Sequence, residues 1–142
     1  MKYLLICGKS GSGKSTLALN LSRLDRRYHP AALAKPIKDF CVDVLGLERY
    51  QVDGTDAEKN TPTAYMHWQF PEDNDHPLDH SKPLTGRQVM QRVGTQWKAI
   101  DRDVFCKALR RRVEGVHRNH GVEATVVEDV RLPDEAEYFR KS

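Results

Sequence analysis

Tyr3-Leu4-Leu5-Ile6-Cys7-Gly8-Lys9-Ser10-Gly11-Ser12-Gly13-Lys14-Ser15-Thr16 decides the fold. Its first part, Tyr3 to Cys7, is a short continuous apolar run, which predicts a strand buried on both faces in a parallel sheet. Its second part matches GxxxxGK[ST] at every fixed position from Gly8 to Ser15. From Lys14 onward, Leu17, Ala18, Leu21 and Leu24 recur at helical spacing, so a helix follows at once and ends before Pro30. In that context a glycine-rich loop wraps a phosphate, because glycines let the backbone approach closely and the positive end of the helix faces the anion. Gly8, Lys9, Ser10, Gly11, Ser12, Gly13, Lys14, Ser15 and Thr16 are therefore the candidate nucleotide-binding residues. Lys14 is expected on the β- and γ-phosphates of ATP, and the Ser15 hydroxyl on Mg²⁺.

Working outward, Pro30 to Ala34 reads as a second extended segment bracketed by Pro30 and Pro36. Asp39 to Leu47 reads as a helix of about two turns, broken near Gly46. Residues 50–84 differ in character: Asp53-Gly54, Asn60, Pro62, Pro71, Asp73-Asn74-Asp75, Pro77 and Pro83 predict a long, loop-rich insertion. Its Tyr65, Trp68 and Phe70 offer aromatic surface either to a base or to the core. Gly86 to Trp97 resumes helical spacing. Asp103 can cap a further helix with a Val104, Ala108, Leu109, Val113 and Val116 stripe that stops at Gly121. Ala124 to Val127 predicts another buried strand, and a last helix begins near residue 134.

With 142 residues, 39% hydrophobic and 30% charged, the chain fits one globular domain. No apolar run approaches the roughly 20 residues of a membrane span, and the N-terminal apolar run is too short for a signal peptide, so a cytoplasmic protein is expected. Cys7, Cys41 and Cys106 are odd in number and far apart, which predicts buried reduced thiols. The net charge of +3 is a weak polyanion bias. Arg110-Arg111-Arg112 reads as the wet face of a helix, and nucleic acid is not expected as a partner. His76 and His80 read as parts of a polar loop, and His117 and His120 as groups favouring a helix C-terminus.

A phosphate-binding loop of this kind needs a second acid near the metal, at the end of a neighbouring strand. Asp129, which follows Thr125-Val126-Val127-Glu128, is the favoured candidate for metal and catalysis. Glu128 is its rival, because side chains alternate along a strand. Arg131 is placed either to meet transferring phosphate or to form a structural ion pair. Arg87 and Gln91, four apart, share a helical face on which a guanidinium can grip a phosphate while an amide reads a base.

Several blocks together resemble the bacteriophage deoxynucleoside monophosphate kinase family, a branch of the P-loop nucleoside monophosphate kinases. They are the glycine-rich loop, Leu33-Ala34-Lys35-Pro36-Ile37-Lys38-Asp39, Leu84 to Thr95 with its R-x-x-x-Q-x-x-G-T pattern, and Glu128-Asp129-Val130-Arg131-Leu132-Pro133-Asp134-Glu135-Ala136. The resemblance implies an α/β fold with a parallel sheet flanked by helices, forming a single kinase domain over residues 1–142 with an acceptor-binding insertion at about 50–84. It implies transfer of the γ-phosphoryl of ATP to a deoxynucleoside 5′-monophosphate in the cytoplasm, the host's if phage-encoded. On that reading Lys14 and Ser15 hold ATP and Mg²⁺, Arg87 binds the acceptor phosphate, and Gln91 meets the base; Trp68, from the aromatic surface of the insertion, is a further candidate for the substrate. Lys38 and Asp39 border the acceptor pocket, and Asp129 and Arg131 line the transfer site. Family members continue with further strands and a lid, which this chain is expected to lack. That leaves three readings open beside a working kinase: a truncated product, a homodimer, or a nucleotide-binding module without turnover.

Overall fold

The computed structural model describes residues 1–9, 11–66 and 82–141. In chain order the elements are β1 (Lys2–Leu5), α1 (Lys14–Leu24), β2 (Tyr28–Ala32), α2 (Lys35–Asp43), α3 (Arg49–Asp53), α4 (Asp56–Lys59), β3 (Pro62–Met66), β4 (Pro83–Thr85), α5 (Gly86–Ile100), α6 (Val104–His120), β5 (Ala124–Glu128) and α7 (Pro133–Arg140). They fall into two compact units: Met1–Lys35 with Asp103–Ser142, and Pro36–Arg102. The second unit is thus wider than the 50–84 insertion read from turn-forming residues, because the helices on either side of that stretch pack with it.

The first unit is α/β. Its three parallel strands run in the order β1-β5-β2, with Lys2 opposite Ala124, Leu5 opposite Val127, and Ala32 opposite Glu128. Being central, β5 is the fully buried strand: Val126 and Val127 are without exposure, as its continuous apolar run requires. β1 differs from expectation. It ends at Leu5, and as an edge among the described strands it leaves Leu4 44% exposed. Thr125 is also fully buried, and its hydroxyl shares a 2.9 Å hydrogen bond with Nε2 of His117. That bond satisfies a polar group in the core and gives His117 a role other than helix capping.

α6 buries Phe105, Cys106, Leu109 and Val113 and stops at Gly121, at φ 62°. Asp103 precedes it without making a side-chain cap bond. Arg110 pairs with Glu114 at 3.1 Å, while Arg111 and Arg112 are exposed, so the basic run is a solvated face. α7 begins on Pro133, and the Glu135 carboxylate accepts from the backbone N–H groups of Arg131 (2.9 Å) and Leu132 (3.1 Å). Phe139 of α7 lies 4.7 Å from the ring of Tyr3.

The second unit has its own core of Cys41, Leu47, Val52, Leu84, Val89 and Val93, bordered by Phe40, Tyr65 and Trp97. Where loop was expected, the described residues form α3, α4 and the antiparallel pair β3–β4. A capping box at Thr55 and Glu58 starts α4. Tyr65 anchors the hairpin: its hydroxyl donates to the Leu45 carbonyl at 2.8 Å. Trp68, Phe70, His76 and His80 lie outside the described residues.

Burial pushes the Cys41 thiol up to about 11, so it stays protonated, and Cys106 is only 2% exposed. Cys7 is exposed, contrary to expectation, because it stands beyond the end of β1 in the turn leading to the loop. No helix among the described residues is long and apolar enough to cross a membrane.

Candidate functional site

The loop between β1 and α1 has the backbone its glycines predict. Gly11 and Gly13 sit at φ 76° and 81°, in the left-handed region where an L side chain is strained. Gly13 is the N-cap of α1, and its carbonyl accepts the first helical bond from Leu17 N–H at 2.9 Å. The N–H groups of the first helical turn have no intrahelical partner and carry the positive end of the helix dipole. Lys14 folds back over the loop, its ammonium donating to the carbonyls of Gly8 (2.8 Å) and Lys9 (2.6 Å). These contacts hold the ammonium beside the turn, and among the described residues it forms no ion pair. Ser12 N–H donates to the Lys9 carbonyl at 3.3 Å, closing the loop on itself. Thr16 is exposed on α1, and Ser10 lies outside the described residues.

Of the two candidate acids, the structure brings Glu128 to Ser15. The Ser15 hydroxyl donates to the Glu128 carboxylate, whereas Asp129 carries no hydrogen bond or ion pair among the described residues. The reason is backbone geometry. Glu128 is the last paired residue of β5, still in register with Ala32, while Asp129 has left the strand for φ 68°. Only a few per cent of non-glycine residues adopt such a φ, and Asp is among the tolerant ones. That left-handed backbone is not strand geometry, so strand alternation cannot be extended through it. Arg131 is exposed, and its guanidinium forms no ion pair among the described residues, which leaves it available to an anion.

In the second unit α5 carries Arg87 and Gln91. Thr85 caps the helix by accepting from Gln88 N–H (3.3 Å), and Gln88 returns its Oε1 to Thr85 N–H (2.9 Å). That arrangement fixes the first turn and occupies Gln88, while Gln91 on the same helix is exposed. Arg87 donates from Nη2 to Asp56 Oδ1 at 2.6 Å, and its Nε is buried with no partner.

Lys38 and Asp39, expected at a pocket border, belong to an ion network between α2 and α3. Lys38 Nζ stands 2.9 Å from Asp53 Oδ1, and Arg49 bridges Asp53 (3.3 Å) and Asp39 (3.5 Å). Burial works against the Asp53 carboxylate, but the Lys38 ammonium and Arg49 guanidinium outweigh it and hold the carboxyl below its ordinary range. A carboxyl depressed on folding adds stability above its unfolded-state value and loses it as pH falls through the folded value. The α2–α3 brace is therefore an acid-sensitive contact.

Sequence reading missed Asp56, which meets Arg87 across 31 residues. Nothing local announces that pairing. It did have a signal for α4 itself, the T-x-x-E of Thr55 and Glu58.

Comparison with protein-family models, with curated proteins and with solved structures found no match. The class of the protein therefore rests on its own residues: a chain with an α/β unit of three parallel strands flanked by helices, carrying a glycine-rich loop between strand and helix.

Proposed function

We propose that this chain is a P-loop phosphotransferase that moves the γ-phosphoryl of ATP to a deoxynucleoside 5′-monophosphate. The observation that carries the reading is the pairing of Ser15, at the start of α1, with Glu128, at the end of the adjacent strand β5. It sets a hydroxyl and a carboxylate side by side at the end of the glycine-rich loop.

The donor set suits Mg²⁺. Among the described residues no group of three or more His, Cys, Asp or Glu side chains forms a metal cage, and Mg²⁺ in nucleotide sites relies on one or two protein oxygens plus phosphates and water. Ser15 and Glu128 are the two that would hold it, and it would neutralise phosphate charge when bound.

The remaining chemistry is positioning and charge. Lys14 can exchange its two carbonyl partners for phosphate oxygens, since both carbonyls are exposed and water replaces the lost bonds. The unpaired Arg131 supplies a second positive charge on the same unit as the loop. An acceptor phosphate oxygen is already an anion, so no strong base is needed. Arg87 and Gln91 provide the acceptor's phosphate grip and base contact on the second unit, in keeping with the R-x-x-x-Q pattern.

The test is ADP release from ATP and Mg²⁺ with each of the four deoxynucleoside monophosphates, beside ribonucleotides and phosphorylated metabolites. Acceptor-dependent release that is greatest with one deoxynucleotide supports the reading. Greater release with another small acceptor moves the chain to a different kinase class. ATP binding with no release for any acceptor makes it a nucleotide-binding module instead.

Two substitution experiments refine the roles. Glu128→Gln is expected to lower turnover on the order of 100-fold and to raise the Mg²⁺ requirement, whereas Asp129→Asn, which tolerates the same left-handed backbone, leaves turnover within about threefold. The reverse order in a Mg²⁺ titration would return the metal role to Asp129. Arg87→Ala is expected to raise the acceptor KM about 10- to 100-fold, the loss of a charge-assisted bidentate contact, with kcat for the ATP side little changed. An unchanged KM removes Arg87 from the acceptor site.

A further inference from the structure

The guanidinium of Arg87 is half used. Its Nη2 donates to Asp56 Oδ1 at 2.6 Å, while Nε, the other donor on the same edge of the planar fork, is buried without an acceptor. A buried N–H left unmade is costly, and the fork geometry of arginine matches two oxygens of one oxyanion. Asp56 offers it only one.

The two partners are held very differently. Arg87 lies on the first turn of α5, between the buried residues Gly86 and Val89, on a helix seated in the second unit's core. Asp56 opens α4, a helix of four residues none of which is buried, and its side chain is 65% exposed against 38% for Arg87. Moving Asp56 disturbs no core packing, whereas moving Arg87 does.

We propose that Asp56 is a tethered place-holder that occupies the Arg87 fork and is displaced by a phosphate monoester, which takes both Nη2 and Nε. This rests on the reading of Arg87 as the acceptor-phosphate residue and adds a selection step to it. A dianion with two oxygens aligned to the fork displaces the carboxylate, and a weaker monoanion does not. Asp56 is thus a specificity-determining residue that trades affinity for discrimination.

The test uses the full chain, with inorganic phosphate and deoxyadenosine 5′-monophosphate as probes and acetate as the weak monoanion. Affinities come from calorimetry, and the arginine Nε–H resonances are followed by NMR. In the unaltered protein, phosphate is expected to shift the Arg87 Nε–H signal and acetate to leave it in place. Asp56→Asn is expected to tighten both phosphate probes about two- to fivefold, the range for removing an exposed ion-pair competitor, and to let acetate shift the signal. Asp56→Ser, which also removes the charge, gives the same gain if displacement is the cause. No gain in either variant, or weaker binding, overturns the place-holder. If Arg87→Ala leaves phosphate-monoester affinity unchanged in the otherwise unaltered chain, the acceptor reading of Arg87 itself fails, a distinguishable result.

Discussion

Lys14→Ala is expected to lower the proposed ATP turnover by about 10²- to 10³-fold, the loss that follows when one preorganised charge at a transferring phosphoryl is removed, and to leave thermal unfolding nearly unchanged. The argument is local. Among the described residues the Lys14 ammonium reaches the Gly8 and Lys9 carbonyls, at 2.8 and 2.6 Å, and both bonds are exposed. Water satisfies those carbonyls when the side chain is cut back, so the strand, the loop and α1 keep their supports. What disappears is a positive charge held beside the glycine-rich turn. A titration with fluorescent ATP gives a second reading that does not depend on an acceptor: binding weakens in parallel. Full turnover in Lys14→Ala would remove the loop from the chemistry and with it the kinase proposal.

Gly86→Ala destabilises the second unit by about 3 kcal/mol, the upper part of the range for forced overpacking. A Cβ at Gly86 would lie 2.5 Å from the Gln51 carbonyl oxygen and 2.9 Å from Gln51 Cβ. Gln51 cannot retreat. It is 6% exposed, its Nε2 donates to the Pro62 carbonyl at 3.0 Å, and its Oε1 accepts from Glu48 N–H at 3.0 Å. The neighbour that must yield is backbone, not a flexible side-chain tip. Gly115→Ala is the control, since nothing lies within 4 Å of its Cβ; there alanine is expected to stabilise α6 by roughly 0.5–1 kcal/mol through helix propensity alone. Amide exchange through a urea series checks both, with protection lost first in α3 and α5 for Gly86→Ala. Equal stability of the two variants would show that α3 shifts freely against α5.

These two residues mark how far local sequence carries. Lys14 is readable because strand, glycine turn and helix are all encoded within a few residues, and the φ values of Gly11 and Gly13 follow from the same short stretch. α5 and α6 are readable for a similar reason: apolar spacing and the Thr85–Gln88 cap are short-range patterns. Gly86 is another matter. Its spacing within a helix gives no hint that the Gln51 backbone lies against it.

The residues alone determined the glycine-rich loop, the helix that follows it, the apolar run of β5 and the periodic helices, because each is written in neighbours fewer than about eight positions apart. Tertiary structure decided the rest. Only strand order makes β5 central and β1 an edge among the described strands, exposing Leu4. Only the departure of the chain from β5 at Asp129 hands Glu128, not Asp129, to the Ser15 hydroxyl. Only the folding of α4 toward α5 sets Asp56 on Arg87. Such pairings join residues dozens of positions apart, and they form where burial, backbone direction and charge agree in space.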